Sequence, residues 1–373
     1  MNLENLKYIF LALLSVLLFV TGVVTPQYNW DIIGYTAASY FQDGLRGEDL
    51  RAKTYQEISR VLPEQKYRDL TELGEYRRTV ATDPTALEEH MPFYTIRMAY
   101  IGVVRSFEQG LNISAPTATF YTAAFFAGCT FFALGLLYTF HGVWMLLLFF
   151  IATLFSGFLD LAQLSSPDSM AAFFSILCLL LNKKNSRWIV VPLTILPFIR
   201  TDFIILAGIF GLLELRRARF ANFFLYILPP LLGYFAVNSL NENYGYLKIF
   251  NFTLIQIDPH PKSMGIEVSL FPYLNAYLNC LADFIRHKHF WIFAGYFIIW
   301  WRNYKNKGDT YQQREFIVIF GFVLLHLLLF PAYYQRFFSW CAAIAGWRVI
   351  SWILQNRNHL FSKFKFKTHF IKT

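Results

Sequence analysis

The chain alternates apolar runs with short hydrophilic breaks rich in lysine and arginine, and that alternation restricts it to folds a bilayer accepts. An apolar helix of about 20 residues crosses the roughly 30 Å of hydrocarbon. One such run covers Tyr8–Val24. Others lie at about residues 115–140, 143–159, 169–181, 188–199 with 203–213, 220–237, 290–301, 316–330 and 337–354. Only 15% of residues are charged, which excludes a disordered chain, a soluble enzyme and a nucleic-acid-binding domain in spite of the net charge of +9. The first run could be a signal peptide. It is long for one, however, and Val23-Val24-Thr25-Pro26 is a poor cleavage site, so it is expected to remain as the first span. Cys129, Cys178, Cys280 and Cys341 form no CxxC pair and imply neither a disulfide framework nor a metal knuckle.

Lysine and arginine gather on the cytoplasmic side of membrane proteins. The clusters Lys183/Lys184/Arg187, Arg216/Arg217/Arg219, Arg302/Lys305/Lys307/Arg314 and Lys363/Lys365/Lys367/Lys372 share that side under one threading. In it residues 92–112 do not cross, and residues 188–214 enter and return as two short helices. The expectation is an all-α, polytopic integral membrane protein with residues 1–373 in one domain, about ten membrane helices, both termini cytoplasmic, and a plasma or inner membrane as its site. Residues 26–112 form a large extracytoplasmic first loop. Its 26–92 stretch holds 12 of the 24 acidic residues. Residues 92–112 read as an amphipathic helix along the interface.

The same threading brings the unusual polar residues to one compartment. Asp31 lies just past the first span in Tyr28-Asn29-Trp30-Asp31-Ile32-Ile33, where two readings are open. It can take a proton from an acceptor hydroxyl or hold a divalent metal, or it can simply start a helix. Asp168, in Ser166-Pro167-Asp168, carries ordinary helix-start signals and gains interest from its company. Arg200 and Asp202 sit two apart inside an apolar stretch, where charge usually marks function. They can pair with each other, or Arg200 can grip a phosphate. Arg336 is a second cation at the same mouth, or an interfacial anchor. His90 and Lys262 are weaker candidates that read first as solvated loop residues. His141, His287, His289 and His326 lack metal-ligand spacing.

An acid soon after the first helix, a large first loop, an interfacial helix opened by Pro92-Phe93-Tyr94, the Ser-Pro-Asp turn and the Arg-Thr-Asp turn together resemble the GT-C superfamily of polytopic glycosyltransferases. The resemblance covers most of the first 215 residues. It implies transfer of a sugar from a polyprenyl-phosphate donor to an extracytoplasmic glycan, lipid or protein. Asp31 would be the catalytic carboxylate, Arg200 and Arg336 the donor-phosphate contacts, and Asp168, Asp202, His90 and Lys262 further substrate-binding candidates. Many members carry an Asp-x-Asp pair, whereas Ile32 and Ile33 follow Asp31 here. The cofactor the resemblance leaves room for is a divalent cation, magnesium or manganese, on Asp31. A transporter or flippase for a lipid-linked or anionic solute is the alternative from another class. Its mark would be polar residues continuing through the later helices to the cytoplasmic side.

Overall fold

The computed structural model describes residues 3–303, 305 and 310–356. Lys307 and the basic tail Lys363/Lys365/Lys367/Lys372 lie outside the described residues. Within them the chain is helical, with a single isolated backbone bridge between Gln27 and Leu164.

Helix α1 (Leu3–Val24) leads into a cap made of α2 (Asp31–Gln42), α3 (Gly47–Val61), α4 (Glu64–Thr71), α5 (Gly74–Thr82), α6 (Pro84–Glu89), α7 (Met91–Thr95) and α8 (Met98–Leu111). In the cap Leu50, Ile58, Leu87, Tyr100 and Ile101 are buried, in a core continuous with that of the helices that follow. The expected interfacial helix is broken at Ile96-Arg97 into α7 and α8. Helix α8 is amphipathic as anticipated: Tyr100, Ile101 and Val104 face inward while Gly102, Ser106 and Gln109 are exposed.

The bundle follows as α9 (Ala115–Leu137), α10 (Val143–Thr153) continued through a π turn into α11 (Leu159–Gln163), then α12 (Asp168–Lys183), α13 (Val190–Ile199), α14 (Ile204–Arg216) and α15 (Phe220–Leu240). The segment 241–289 carries α16 (Tyr246–Leu254) and α17 (Leu270–Arg286). Helices α18 (Lys288–Asn303), α19 (Tyr311–Leu329) and α20 (Gln335–Gln355) complete the described fold. Among the described residues, six helical segments are long and apolar enough to span a membrane: Leu6–Val24, Ala115–Leu137, Val143–Gln163, Phe220–Leu240, Tyr311–Leu329 and Gln335–Gln355. The outward faces agree with lipid contact, since Leu13, Val16, Leu17, Leu232, Phe235, Leu324 and Leu328 are exposed.

Helix α9 is the central element, packed against α1, α8, α11 and α12. Small residues allow the approach, because lipid supplies no hydrophobic drive for helices to associate and close van der Waals contact must do so. A Cβ added at Gly22 would lie 2.5 Å from the Ala162 carbonyl oxygen and 2.8 Å from Ala124 Cβ. One at Gly128 would lie 2.8 Å from the Ser15 carbonyl oxygen. Replacing Gly22 with valine is therefore expected to cost about 1–3 kcal/mol through overpacking and to lower the thermal midpoint of the detergent-purified protein. The lipid-facing Val20→Ala should leave that midpoint nearly unchanged. Equal midpoints for both variants would refute this packing account.

Candidate functional site

Four separate stretches of chain meet at one end of the bundle, each bringing charge at or near a helix start. Asp31 is the first residue of α2 and Asp168 the first of α12. Asp202 lies in the 3-10 turn Thr201–Phe203 that precedes α14, just after Arg200, and Arg336 is in the first turn of α20. Helix starts carry partial positive charge, which favours the three carboxylates there and disfavours Arg336 unless acids surround it. A backbone clip sets the first two in register. The Gln27 N–H donates to the Gln163 carbonyl at 3.0 Å, and the Gln163 side-chain amide donates to the Thr25 carbonyl at 2.7 Å.

The side chains form one continuous series. The Arg336 guanidinium reaches Asp31 Oδ2 at 2.8 Å and Asp168 Oδ2 at 3.0 Å. Arg200 pairs with the other oxygen of Asp168 and makes a two-pronged contact with Asp202, at 3.1 Å from Nε and 2.7 Å from Nη2. His326, on α19, lies with Nε2 2.8 Å from Asp202 Oδ2. The Arg200 guanidinium also stacks 3.9 Å over the Phe337 ring. Asn29 donates to Asp31 at 2.8 Å.

Exposure separates the members by what they can meet. The side chains of Asp168 and Arg200 keep 2% and 8% of their surface, whereas Asp31 and Arg336 keep 22% and 21%. Of the two open readings for Arg200, the structure displays the ion pair: its donors are committed to Asp168 and Asp202, and its face is covered by Phe337. Arg336, Asp31 and Asp202, the last with 27% of its side-chain surface exposed, form the accessible part. Around Asp168 lie the buried hydroxyls of Ser165, Ser166, Ser169 and Tyr100, so the surroundings are polar as well as charged.

His90 and Lys262 stand apart from this series. His90 is buried in the cap rather than solvated, with the Tyr76 hydroxyl 2.8 Å from Nε2 and the Ala86 carbonyl 2.7 Å from Nδ1. Lys262 is exposed and lines a groove of about 590 Å³ with Arg46, Glu88, Glu89, Glu242 and Tyr244. Phe41 and Gln42, at the far end of α2 from Asp31, also line it, which puts it about 15 Å from the charge series at 1.5 Å per helical residue. Of the aromatic residues of 244–252, Phe252 stacks on Phe93 of the cap at 4.5 Å and Tyr244 packs on the same ring, while Phe250 packs on Tyr273, Tyr277 and Phe330.

A divalent cation does not fit the charge series as it stands. The Asp31 oxygen faces Asn29 and Arg336, and a guanidinium occupies the space between Asp31 and Asp168 where a metal would bridge them. Among the described residues no group of three or more His, Cys, Asp or Glu side chains has the placement to hold an ion.

Sequence reasoning passed over His326 because it sought metal spacing. The usable signal was an ionisable residue in a membrane-length apolar helix. It also passed over Glu315, which is fully buried and bound by Arg348 at 2.6 and 2.9 Å and by the Tyr296 hydroxyl at 3.2 Å. The sequence matches no protein-family model, and there is no significant match among curated proteins or solved structures.

Two outcomes follow. Arg200→Met leaves the buried Asp168 with Arg336 as its one cationic partner and takes the guanidinium from Asp202, and should lower stability by up to about 3–5 kcal/mol, read as the unfolding midpoint in detergent. An unchanged midpoint would show that the pair does not hold the fold. Burial in the cap lowers the pKa of His90 from 6.5 to about 4. The neutral ring is the folded form, so its contribution is full above pH 6.5 and is lost as pH falls toward 4. Unfolding followed across that window should show a slope that His90→Gln removes.

Proposed function

We propose that the protein is a membrane glycosyltransferase of GT-C type, moving a sugar from a polyprenyl-phosphate donor to an extracytoplasmic glycan, lipid or protein acceptor. The observation that carries this reading is the partly exposed Asp31–Arg336 pair set on the buried ion pair of Asp168 and Arg200. Transfer from a lipid carrier needs a site at the membrane surface, where the isoprenoid stays in lipid while phosphate and sugar meet a hydrophilic acceptor. On this reading α12, α13, α14 and α18 join the six longer spans to make ten, with the charge series on the extracytoplasmic side and the basic clusters on the cytoplasmic side.

The chemistry then uses the chain's own residues. Departure of the lipid phosphate builds negative charge, which a preorganised guanidinium stabilises. Arg336 is the cation placed to meet it, aided by the helix starts that converge there. A phosphate that takes over the Arg336 donors leaves Asp31 Oδ2 with Asn29 alone, and the carboxylate can then accept the proton of the attacking hydroxyl. Arg200 and Asp168 act as positioning residues. They fix Arg336 and keep it from following the phosphate out.

The transporter reading would draw support from polar groups running the length of the bundle. The second polar cluster, around Glu315 and Arg348, is separated from His326 along α19 by buried Ile319, Phe322 and Val323. Trp340 and Phe338 of α20 are buried in the same stretch, and Phe322 packs against both. That arrangement favours a one-sided site.

The test is mass spectrometry of lipid-linked sugars and envelope glycans from cells lacking the protein and complemented with wild type or Asp31→Asn at equal membrane levels. Loss of the base should slow transfer by about 10²–10⁴-fold, so that one sugar is missing and its polyprenyl-phosphate donor accumulates. A wild-type profile from Asp31→Asn would overturn the assignment.

A further inference from the structure

Next to Arg336 lies a second polar series whose hydrogen count does not close. Tyr333 stands between two imidazoles, its hydroxyl 2.8 Å from His287 Nδ1 and 2.7 Å from His289 Nδ1. His289 Nε2 is 3.1 Å from the Ser156 carbonyl oxygen, and His287 Nε2 is 2.7 Å from Gln335 Oε1. The Gln335 amide in turn donates to Asp160. His289 is fully buried, and its backbone N–H also reaches His287 Nδ1 at 3.2 Å.

Five side-chain contacts thus run in series from Asp160 to Ser156, and each requires one hydrogen between two heavy atoms. An ionised Asp160 and the Ser156 carbonyl supply none. The Gln335 amide serves one of its two contacts, because its oxygen faces the other. Tyr333 supplies one hydrogen and each neutral imidazole one. That makes four hydrogens for five contacts. Turning the Gln335 amide over moves the shortfall to Asp160 and does not remove it. One added proton closes the series on His289 with every contact kept, or on His287 or Asp160 with loss of the His289 N–H contact to His287 Nδ1. Between the imidazoles it passes by a paired step: His287 Nδ1 gives a proton to the Tyr333 oxygen as Tyr333 gives its own to His289 Nδ1.

The backbone is shaped for these contacts. Gly157, in the π turn between α10 and α11, has φ +91°, and a Cβ there would run into Gln335 and Ser339. The turn leaves the Ser156 carbonyl facing His289, and Ser339 ties back to the Gln335 carbonyl at 2.9 Å.

We propose that Asp160, Gln335, His287, Tyr333 and His289 form a binding site for one proton, whose occupancy holds the Tyr333–Gln335 segment that presents Arg336. The proposal stands independently of what chemistry the Asp31 series performs. The charged and titratable groups around it are few. Asp160 of α11 favours the added proton. Lys288 between the histidines opposes it; Arg286, exposed at the end of α17, and Arg336, beyond Gln335, are the next cations along the chain. On α17, Asp283 is exposed and Cys280 is a buried thiol near Tyr333.

The experiment uses full-length protein in lipid nanodiscs with 15N-labelled histidine rings. Ring shifts are followed from pH 8 to 4.5, and the carboxyl stretch of Asp160 is followed by infrared difference spectroscopy against Asp160→Asn. The expected result is uptake of a single proton with one midpoint common to His287 and His289. Tyr333→Phe should split that midpoint into two. Gln335→Leu, which keeps Tyr333 and both rings, should leave the histidine midpoint common while uncoupling Asp160 from it. Separate histidine midpoints in the wild type, or neutral rings together with an ionised Asp160 down to pH 4.5, would overturn the proposal. Should Tyr333→Phe fail to fold, the wild-type and Gln335→Leu titrations decide it by the same criteria.

Discussion

Arg336 is a cation at the start of a helix, where the backbone dipole repels it, and it is held there by Asp31 on one side and Asp168 on the other. The architecture at this end of the bundle depends on that arrangement. Asp168 is almost fully buried and cannot remain ionised alone in low dielectric, so it draws in Arg200 as well as Arg336. Arg200 in turn engages Asp202, and Asp202 engages His326. The α1–α2 connection, the α11–α12 turn, the α13–α14 tip, the end of α19 and the start of α20 are thereby tied to one another. Removing any buried member would strand charge on its neighbour, which is why the base of the site is rigid while Asp31 and Arg336 at its edge keep access to a ligand.

The opposite end of the bundle is held by a separate set of contacts. Glu315 is bound by Arg348 and Tyr296, Arg314 by Asn182 and Asn185, and Lys183 donates to the Leu137 carbonyl at 2.6 Å. Arg302 lies over Trp352 at 6.0 Å. The basic breaks around Lys183 and around Arg302 and Arg314 therefore lie at one end of the bundle. Between the two ends α19 and α20 present packed aromatic and aliphatic side chains. A polar site confined to one face suits chemistry on a substrate brought to that face better than passage through the bundle.

The cap and the 241–289 segment enclose the charge series from the other side. Trp30, next to Asp31, packs on Tyr76; Tyr76 contacts His90 and Phe252, and Phe252 stacks on Phe93. These rings satisfy one another, which leaves the groove beside Lys262 and the Asp31–Arg336 edge as distinct polar surfaces. The histidine–tyrosine series approaches the same edge from the far side, joined to it by the peptide bond between Gln335 and Arg336. Proton binding there and ligand binding at Arg336 would act on one short stretch of backbone.

Much of this was legible in the residues. Apolar run lengths determined an all-helical membrane protein, the cost of charge among apolar residues marked Asp31, Arg200 and Asp202, and threading to the same side added Asp168 and Arg336. The first two criteria are local: a run length or a misplaced charge can be read without knowing its neighbours. The tertiary structure decided what such signals leave open. It chose the ion pair for Arg200, because Asp168 arrives from 32 residues away in the chain. It buried His90, which reads as a solvated loop residue only while the cap around it is unknown. It recruited His326 and Glu315, and it placed Tyr333 between His287 and His289. A partner's identity, and hence a group's charge state and role, depends on distance in space, and distance along the chain does not supply it.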